Sequence, residues 1–525
     1  YAPGLVWLVI GVCLAGAVQD MLVLAASVRR DGKSLAEIAR HELGFPAAVI
    51  ASVAILFIVV IALAGLGRVV VGALAESAWG VFTIGASIPI ALAMGLYIYK
   101  FRGGSVRGVR EATIVGVTAL LLCVVFGKQV QDSSLGAYLR LDEVTITLLI
   151  AAYGFVASVL PVWMLLCPRD YLSSYMKIGT ILLLVLGIMI VNPAIEMPAF
   201  TTVGVGVGAG SIDVDGATFP AVVRGSLFPF VFITIACGAI SGFHALIASG
   251  TTPKMVDRET DCRPIGYGAM LLEGLVGITS LIAAACLHPA DYFAINVPPD
   301  VFAKLGYTPV EIDLMSKLIG ENLRGRTGGS VSLAAGMAQI FSQLPGARTF
   351  LAYFYHFIVM FEAVFILTTV DAGTRVARFL AQDILGRTIH PRFARHDFAP
   401  GVWLATALIV GLWGSFLYFG TIGTLWPLLG IANQLLASTA LAVGTAVILG
   451  QHPQHRGRAW VTAGPLLFVG TTTLTAGYLS IRDNFLKLPN RVQGLIDTGC
   501  TVILMLCAIV VFAALIARAR RSQST

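Results

Sequence analysis

The chain has 525 residues, 57% of them hydrophobic and 12% charged, with a formal net charge of +7. That is about half the charge density of an ordinary soluble domain, so a water-soluble fold is excluded and the protein reads as integral to a membrane. The eight cysteines fall in or beside apolar runs without a CxxC pair, which argues against a disulfide or zinc framework.

Runs of about 20 apolar residues cross the hydrocarbon core as helices. About thirteen such spans are predicted, near 4–28, 47–67, 79–98, 111–127, 144–167, 175–194, 225–249, 266–287, 349–370, 401–419, 424–449, 459–479 and 496–517. The expected fold class is all-α, a polytopic helical bundle forming a single transmembrane domain over 1–525. Alternate loops sort the charges. One set holds Arg29, Arg30, Lys33, Lys100, Arg102, Lys254, Arg258, Arg375, Arg378, Arg518, Arg520 and Arg521, and the other carries Asp142, Glu143, Asp213, Asp291 and Glu311. Basic loops face the cytoplasm, which puts Tyr1 outside and Thr525 inside. The net charge is then a topology signal, and no nucleic-acid partner is expected. Tyr1-Ala2-Pro3-Gly4 opens straight onto a span with no basic region before it, so no signal peptide is assigned and the chain reads as a fragment.

The first span carries Gln19 and Asp20 well inside its length. A carboxylate facing lipid there would cost about 2.5–3.5 kcal/mol. Asp20 therefore faces protein or water, either as a proton relay or as a structural partner to a buried amide or arginine. In the next loop, Gly32-Lys33-Ser34 resembles the end of a phosphate-binding loop, but Ser27 stands where the leading glycine belongs, and no buried strand precedes it. Further on, Pro161 and Pro168 disturb a helix and Arg169-Asp170 forms a charged pair at its cytoplasmic mouth. The pair reads equally as an inner gate or as a surface salt bridge of little energetic value. The outer loop 195–224 contains VGVGVGAGS, whose alternating glycines point to flexibility.

The stretch LFPFVFITIACGAISGFHALIASGTTP, Leu227 to Pro253, begins as a membrane helix and then loses helical logic at Gly238, Ser241, Gly242, His244 and Gly250. Backbone groups freed at membrane depth are tolerated where they are buried in protein or line a wet cavity, so a broken helix beside a transport path is predicted. The following span places Glu273 about two turns in, a candidate proton carrier. Residues 288–348 form the longest hydrophilic region and are expected as short helices over the outer face, a lid or a static cap. Cys286, His288 and Asp291 gather at one outer helix end, without the spacing of a structural metal site. The ninth span holds His356 and Glu362, with Thr368, Thr369 and Asp371 towards its cytoplasmic end. Hydroxyls with unwound carbonyls would suit a hard cation such as sodium, whereas mid-helix threonines also bond back to their own helix. Asn433 and Gln434 lie inside a later span, where amides can bind substrate or bridge helices.

Together AGAVQD (Ala15–Asp20), ALAESAWG (Ala73–Gly80), PRDYLSSYMKIGTI (Pro168–Ile181), the Leu227–Lys254 stretch, FEAVFILTTVDAGTR (Phe361–Arg375) and WPLLGIANQLLA (Trp426–Ala437) resemble the carbon starvation protein A family of bacterial inner-membrane transporters. The resemblance covers essentially the whole chain. It implies a five-plus-five inverted-repeat, LeuT-like architecture (the APC superfamily) with extra helices, in which discontinuous helices meet at the bilayer midplane. The family's Gly-Pro-rich counterpart of the broken helix, with about three helices, is expected upstream of Tyr1.

The expected function is secondary active uptake of short peptides by alternating access, coupled to H+ or Na+, in the bacterial inner membrane. Ser241, Gly242, His244, Asn433 and Gln434 are the expected substrate contacts. Asp20, Glu273, Glu362, Thr368, Thr369 and Asp371 are the expected coupling groups, and Arg169 and Asp170 the gate. A pyruvate or monocarboxylate:proton symporter and a non-transporting nutrient sensor are the alternatives. Neither HExxH nor GxSxG occurs, so no enzyme is expected. Nor is an organic cofactor; the partners are a small carboxylate-bearing solute and the bilayer, with the oligomeric state open.

Overall fold

The computed structural model describes residues 1–200, 211–214, 217–220, 227–304, 306–326, 329–395, 397–420, 422–451, 453–488 and 490–523. The glycine-alternating stretch 203–210 lies outside them. Helix dominates, as it must where lipid offers backbone groups no partner. Among the described residues ten helices are long and apolar enough to cross a membrane, from Ala2–Val28 to Arg491–Arg521. The three other expected spans differ for visible reasons. Glu143–Val159 is a helix of only 17 residues. Trp460–Asp483 has 24 residues but is diluted by Thr462, Thr471, Thr472, Thr473 and Thr475. Leu227–Gly250 is broken into Leu227–Thr234, Ala236–Ala239 and Gly242–Gly250. The strands described are Ser211–Val214 and Ala217–Pro220, an antiparallel hairpin with Ser211 opposite Pro220.

Helix starts follow local chemistry. Ser34 and Glu37 form a reciprocal capping box at Leu35–Leu43, each side chain satisfying a backbone N–H that the first turn leaves free. The Asp142 carboxylate accepts from the N–H of Val144 at 3.1 Å to start Glu143–Val159. That helix stops at Leu160, held extended by the following Pro161, because proline disfavours helical backbone in the residue before it.

The chain gathers into two compact units: Tyr1–Ala62 with Ala199–Ile278 and Gly423–Thr525, and Leu63–Pro198 with Thr279–Ile422. In the first unit the Ile422–Leu449 helix is the core, its most apolar window 94% buried. The broken element lies against it closely enough that a Cβ on Gly242 would meet the Asn433 carbonyl oxygen at 2.0 Å, and one on Gly430 the Ile233 carbonyl at 2.5 Å. Glycine is required at both positions by the approach of backbone to backbone. Trp7 packs edge-on against Phe232, ring centroids 5.0 Å apart.

In the second unit Leu351–Thr388 is one continuous helix of 38 residues, and Trp413 and Trp79 are fully buried. Trp79 stacks on His356 at 3.9 Å. Among its described residues the 288–348 region carries short helices, including Pro289–Asn296, Ile312–Ile319 and Ser330–Ser342. It is fastened down rather than loosely draped. Glu321 accepts from Arg326 at 2.8 Å and from the Ser77 hydroxyl, and Arg326 also donates to the Ala75 carbonyl.

Candidate functional site: the broken helix and its ionisable cluster

The interruption falls at Ile240 and Ser241, both extended, with φ −156° and −99°. Two consecutive extended residues free backbone groups that a continuous helix would pair, and side chains from other helices take them up. Gln19 Nε2 donates to the Ser241 carbonyl at 2.7 Å, and the Phe243 N–H donates to Asn433 Oδ1 at 3.0 Å. Before the break, Gln434 Nε2 donates to the Phe232 carbonyl at 2.7 Å, while its oxygen accepts from Thr473 at 2.8 Å. Asn433 and Gln434 thus act as splints on the discontinuous segment.

One turn into Gly242–Gly250, His244 lies between two carboxylates. Its Nδ1 is 2.8 Å from Asp20 Oδ2 and its Nε2 is 3.0 Å from Glu273 Oε2. Gln19 Nε2 donates to Asp20 Oδ1 at 3.0 Å. The Cys237 thiol lies 3.5 Å from both Ser241 Oγ and Glu273 Oε1. All these groups belong to the first unit. Each nitrogen–oxygen contact needs a proton between its atoms, but a neutral imidazole carries only one N–H. Both contacts are satisfied at once only when a proton is added to two carboxylates and a neutral imidazole.

The remaining expected site residues lie in the second unit. Glu362 Oε2 is buried without a hydrogen-bond partner. Thr368 and Thr369 donate to the Phe365 carbonyl at 2.7 and 3.3 Å; in this unbroken helix their hydroxyls bond back to their own turn, and no unwound carbonyls accompany them. Asp371 and Arg169, 1% and 0% exposed at the side chain, pair at 3.6 Å. Tyr153 donates to Asp371 and accepts from Arg169, and Arg169 reaches Ser87 at 3.4 Å. The surface-pair reading of Arg169 with Asp170 is corrected: Arg169 is interior and bonded to another helix, while Asp170 is exposed. Arg375 donates to the carbonyls of Ala157 and Leu160, and Arg378 to that of Ser158, each at 2.7 Å. These are the end carbonyls of Glu143–Val159, which cations suit.

Among the described residues no three His, Cys, Asp or Glu side chains are grouped to hold a metal ion. The Cys286–His288–Asp291 grouping is corrected accordingly. Asp291 accepts from the backbone N–H groups of Val310, Glu311 and Ile312, and His288 Nδ1 accepts from that of Ala290 at 3.2 Å. Tyr153, Ser87 and Cys237 were not singled out from the sequence, since one tyrosine, serine or cysteine in an apolar run carries no distinguishing pattern. Arg375 and Arg378 did carry a signal, their spacing on one helix face, but it was absorbed into the reading of sidedness.

An all-helical, multi-pass membrane protein with a discontinuous helix and an ionisable cluster at the break defines a membrane transporter. Residues 1–476 match the family "Carbon starvation protein CstA", and the chain belongs to that family. It is 44% identical over 514 residues to the peptide transporter CstA of Bacillus subtilis (strain 168), covering 98% of this chain and 83% of that one. The peptide transporter CstA of Escherichia coli (strain K12) is 44% identical, with 95% of this chain and 73% of that one covered. The pyruvate/proton symporter BtsT of the same strain is 43% identical, with 89% and 69% covered. A solved manganese transporter of Eremococcus coleocola aligns with 99% of this chain and 94% of its own at 13% identity and a TM-score of 0.34, too low to assign a shared fold.

Proposed function

We propose that the chain takes up short peptides across the bacterial inner membrane by alternating access, driven by protons loaded at Asp20, His244 and Glu273. Supporting this reading above all is the placement of both ring nitrogens of His244 against carboxylates, at 2.8 and 3.0 Å. Two carboxylates around a neutral imidazole carry two negative charges, and the coupling proton cancels one of them while completing both contacts. Sodium is the rival ion. It is less suited to this set, because two of the four contacting atoms are imidazole nitrogens and hard cations prefer oxygen. Ser241, Gly242 and the unwound backbone beside them are the proposed substrate contacts. Glu362 and Asp371 are further candidates for proton movement, and Arg169 and Asp170 for inner gating.

The experiment is uptake of dialanine by the full chain in proteoliposomes under an imposed pH gradient, in sodium-free buffer. The wild-type chain should accumulate it, and Asp20→Asn should lower gradient-driven uptake about tenfold or more, in the range of typical coupling energies. Uptake that requires sodium, or that Asp20→Asn leaves unchanged, would remove the proton role. Because a relative 43% identical is a pyruvate/proton symporter, pyruvate is the second substrate to present.

A further inference from the structure

We infer that Arg40 and Phe45 form a binding site for the headgroup of an anionic phospholipid, whose acyl chains lie along Val49 and Val53. The site involves none of the groups proposed for coupling. Phe45, Val49 and Val53 are 59%, 43% and 47% exposed and stand four residues apart at the start of the Phe45–Leu74 helix, so they share one face. An apolar stripe left exposed on a helix that crosses the membrane is its lipid-facing side. The Arg40 guanidinium lies over the Phe45 ring, 5.5 Å from its centroid. That sets a cation at the end of the stripe, where hydrocarbon gives way to headgroups.

The local fold holds Arg40 in this place. Gly44, with φ +96°, ends the Leu35–Leu43 helix and turns the chain into the span, in a conformation that favours glycine. On the inner side of the short helix Leu35 and Ile38 are each 1% exposed, and Glu42 accepts from Arg30 at 2.5 Å and from Arg518 at 2.8 Å. Those contacts dock the helix and leave Arg40 exposed on its solvent side. Glu37, three residues earlier, is the ordinary partner for Arg40 on a helix. Its carboxylate instead accepts from the Ser34 N–H and hydroxyl at 3.1 and 3.2 Å. Among the described residues no carboxylate pairs with Arg40, which has only the ring beneath it. A guanidinium presents a planar fork of donors that matches the oxygens of a phosphate. An anionic lipid brings a phosphate to this depth together with chains that cover the stripe below, and free phosphate covers none of it. A zwitterionic lipid brings its own cation alongside the phosphate and gains less.

Phe45→Trp in the full chain, reconstituted in phosphatidylcholine nanodiscs that carry a minor fraction of one lipid brominated on its acyl chain, tests the site by fluorescence quenching. The fluorescence that this substitution adds over the wild-type chain should be quenched more by brominated phosphatidylglycerol than by brominated phosphatidylcholine at equal mole fraction. One basic side chain near an anionic surface corresponds to about fivefold in lipid preference. Arg40→Gln in the same background should abolish the preference, and Arg40→Lys, which keeps the charge, should retain part of it. Arg392→Gln, at an exposed basic residue of the second unit, is the matched control and should leave it unchanged. Equal quenching by the two lipids, no quenching by either, or a preference that survives Arg40→Gln would each overturn the inference. So would equal loss in the control, which would reveal a general charge effect. Loss of the preference on adding inorganic phosphate at matched ionic strength would assign Arg40 to a free anion and overturn the lipid site as well.

Discussion

At the scale of single residues, several charges inside this protein are held by a specific neighbour. Arg169 and Asp371 show the rule in its simplest form: both side chains are sealed from solvent, they pair at 3.6 Å, and Tyr153 bonds to both. Removing one member of a buried pair strands the other, typically at a cost of about 3–5 kcal/mol, whereas removing both does not. Arg169→Ala is therefore expected to lower the thermal stability of the detergent-purified protein by about that amount. The double variant Arg169→Ala/Asp371→Ala should recover a large part of it. Equal destabilisation by the single and double variants would show that the pair matters by packing alone. The sequence displayed Arg169 and Asp371 as ionisable residues in apolar surroundings, but their partnership joins positions about two hundred residues apart and no local pattern encodes it. His244 is a parallel case. Its polarity in an apolar stretch is legible, yet its contact with Asp20 spans 224 residues.

Among the elements, the broken helix depends on small residues as much as on polar ones. The run from Gly238 to Gly250 announced an interruption, and the interruption is there, at Ile240 and Ser241. Its support comes from elsewhere: Gln19, Asn433 and Gln434 reach in from other helices to occupy the freed backbone groups. Gly242 admits the Ile422–Leu449 helix at a distance no side chain permits, since its Cβ would lie 2.0 Å from a backbone oxygen that cannot swing aside. Gly242→Ala should accordingly cost about 1–3 kcal/mol through overpacking and reduce uptake. Gly250→Ala, at a position with nothing within 4 Å, is the matched control and should leave the unfolding temperature nearly unchanged. Similar effects of the two substitutions would mean that helix propensity, and not close approach, is what the glycine serves. Leu351–Thr388 makes the contrasting point. Thr368 and Thr369 looked like cation ligands only so long as an unwound backbone was imagined beside them, and a continuous helix turns their hydroxyls onto their own carbonyls.

For the whole molecule, hydropathy and loop charge account for most of what is built. Thirteen windows were expected, and the ten helices long and apolar enough to cross coincide with ten of them. The other three windows are a short helix, a threonine-rich helix and the broken element, each departing from the simple pattern for a reason its residues carry. The charge asymmetry of the loops leads to a checkable consequence for orientation: a fluorescent protein fused after Thr525 should fold and fluoresce in the bacterial cytoplasm. A dark fusion, together with an active alkaline phosphatase fusion at the same site, would invert the proposed topology.

Membrane embedding, the all-helical class, the family and the location of the break were determined by the sequence alone, because the cost of placing polar groups in hydrocarbon acts on every residue and so writes itself into local composition. Which charged groups meet was decided only by tertiary structure. Asp20, His244 and Glu273 converge while Arg169 turns inward to Asp371, through contacts between helices far apart in the chain. Those contacts depend on distances of about 3 Å set by packing, a scale to which composition and periodicity are blind.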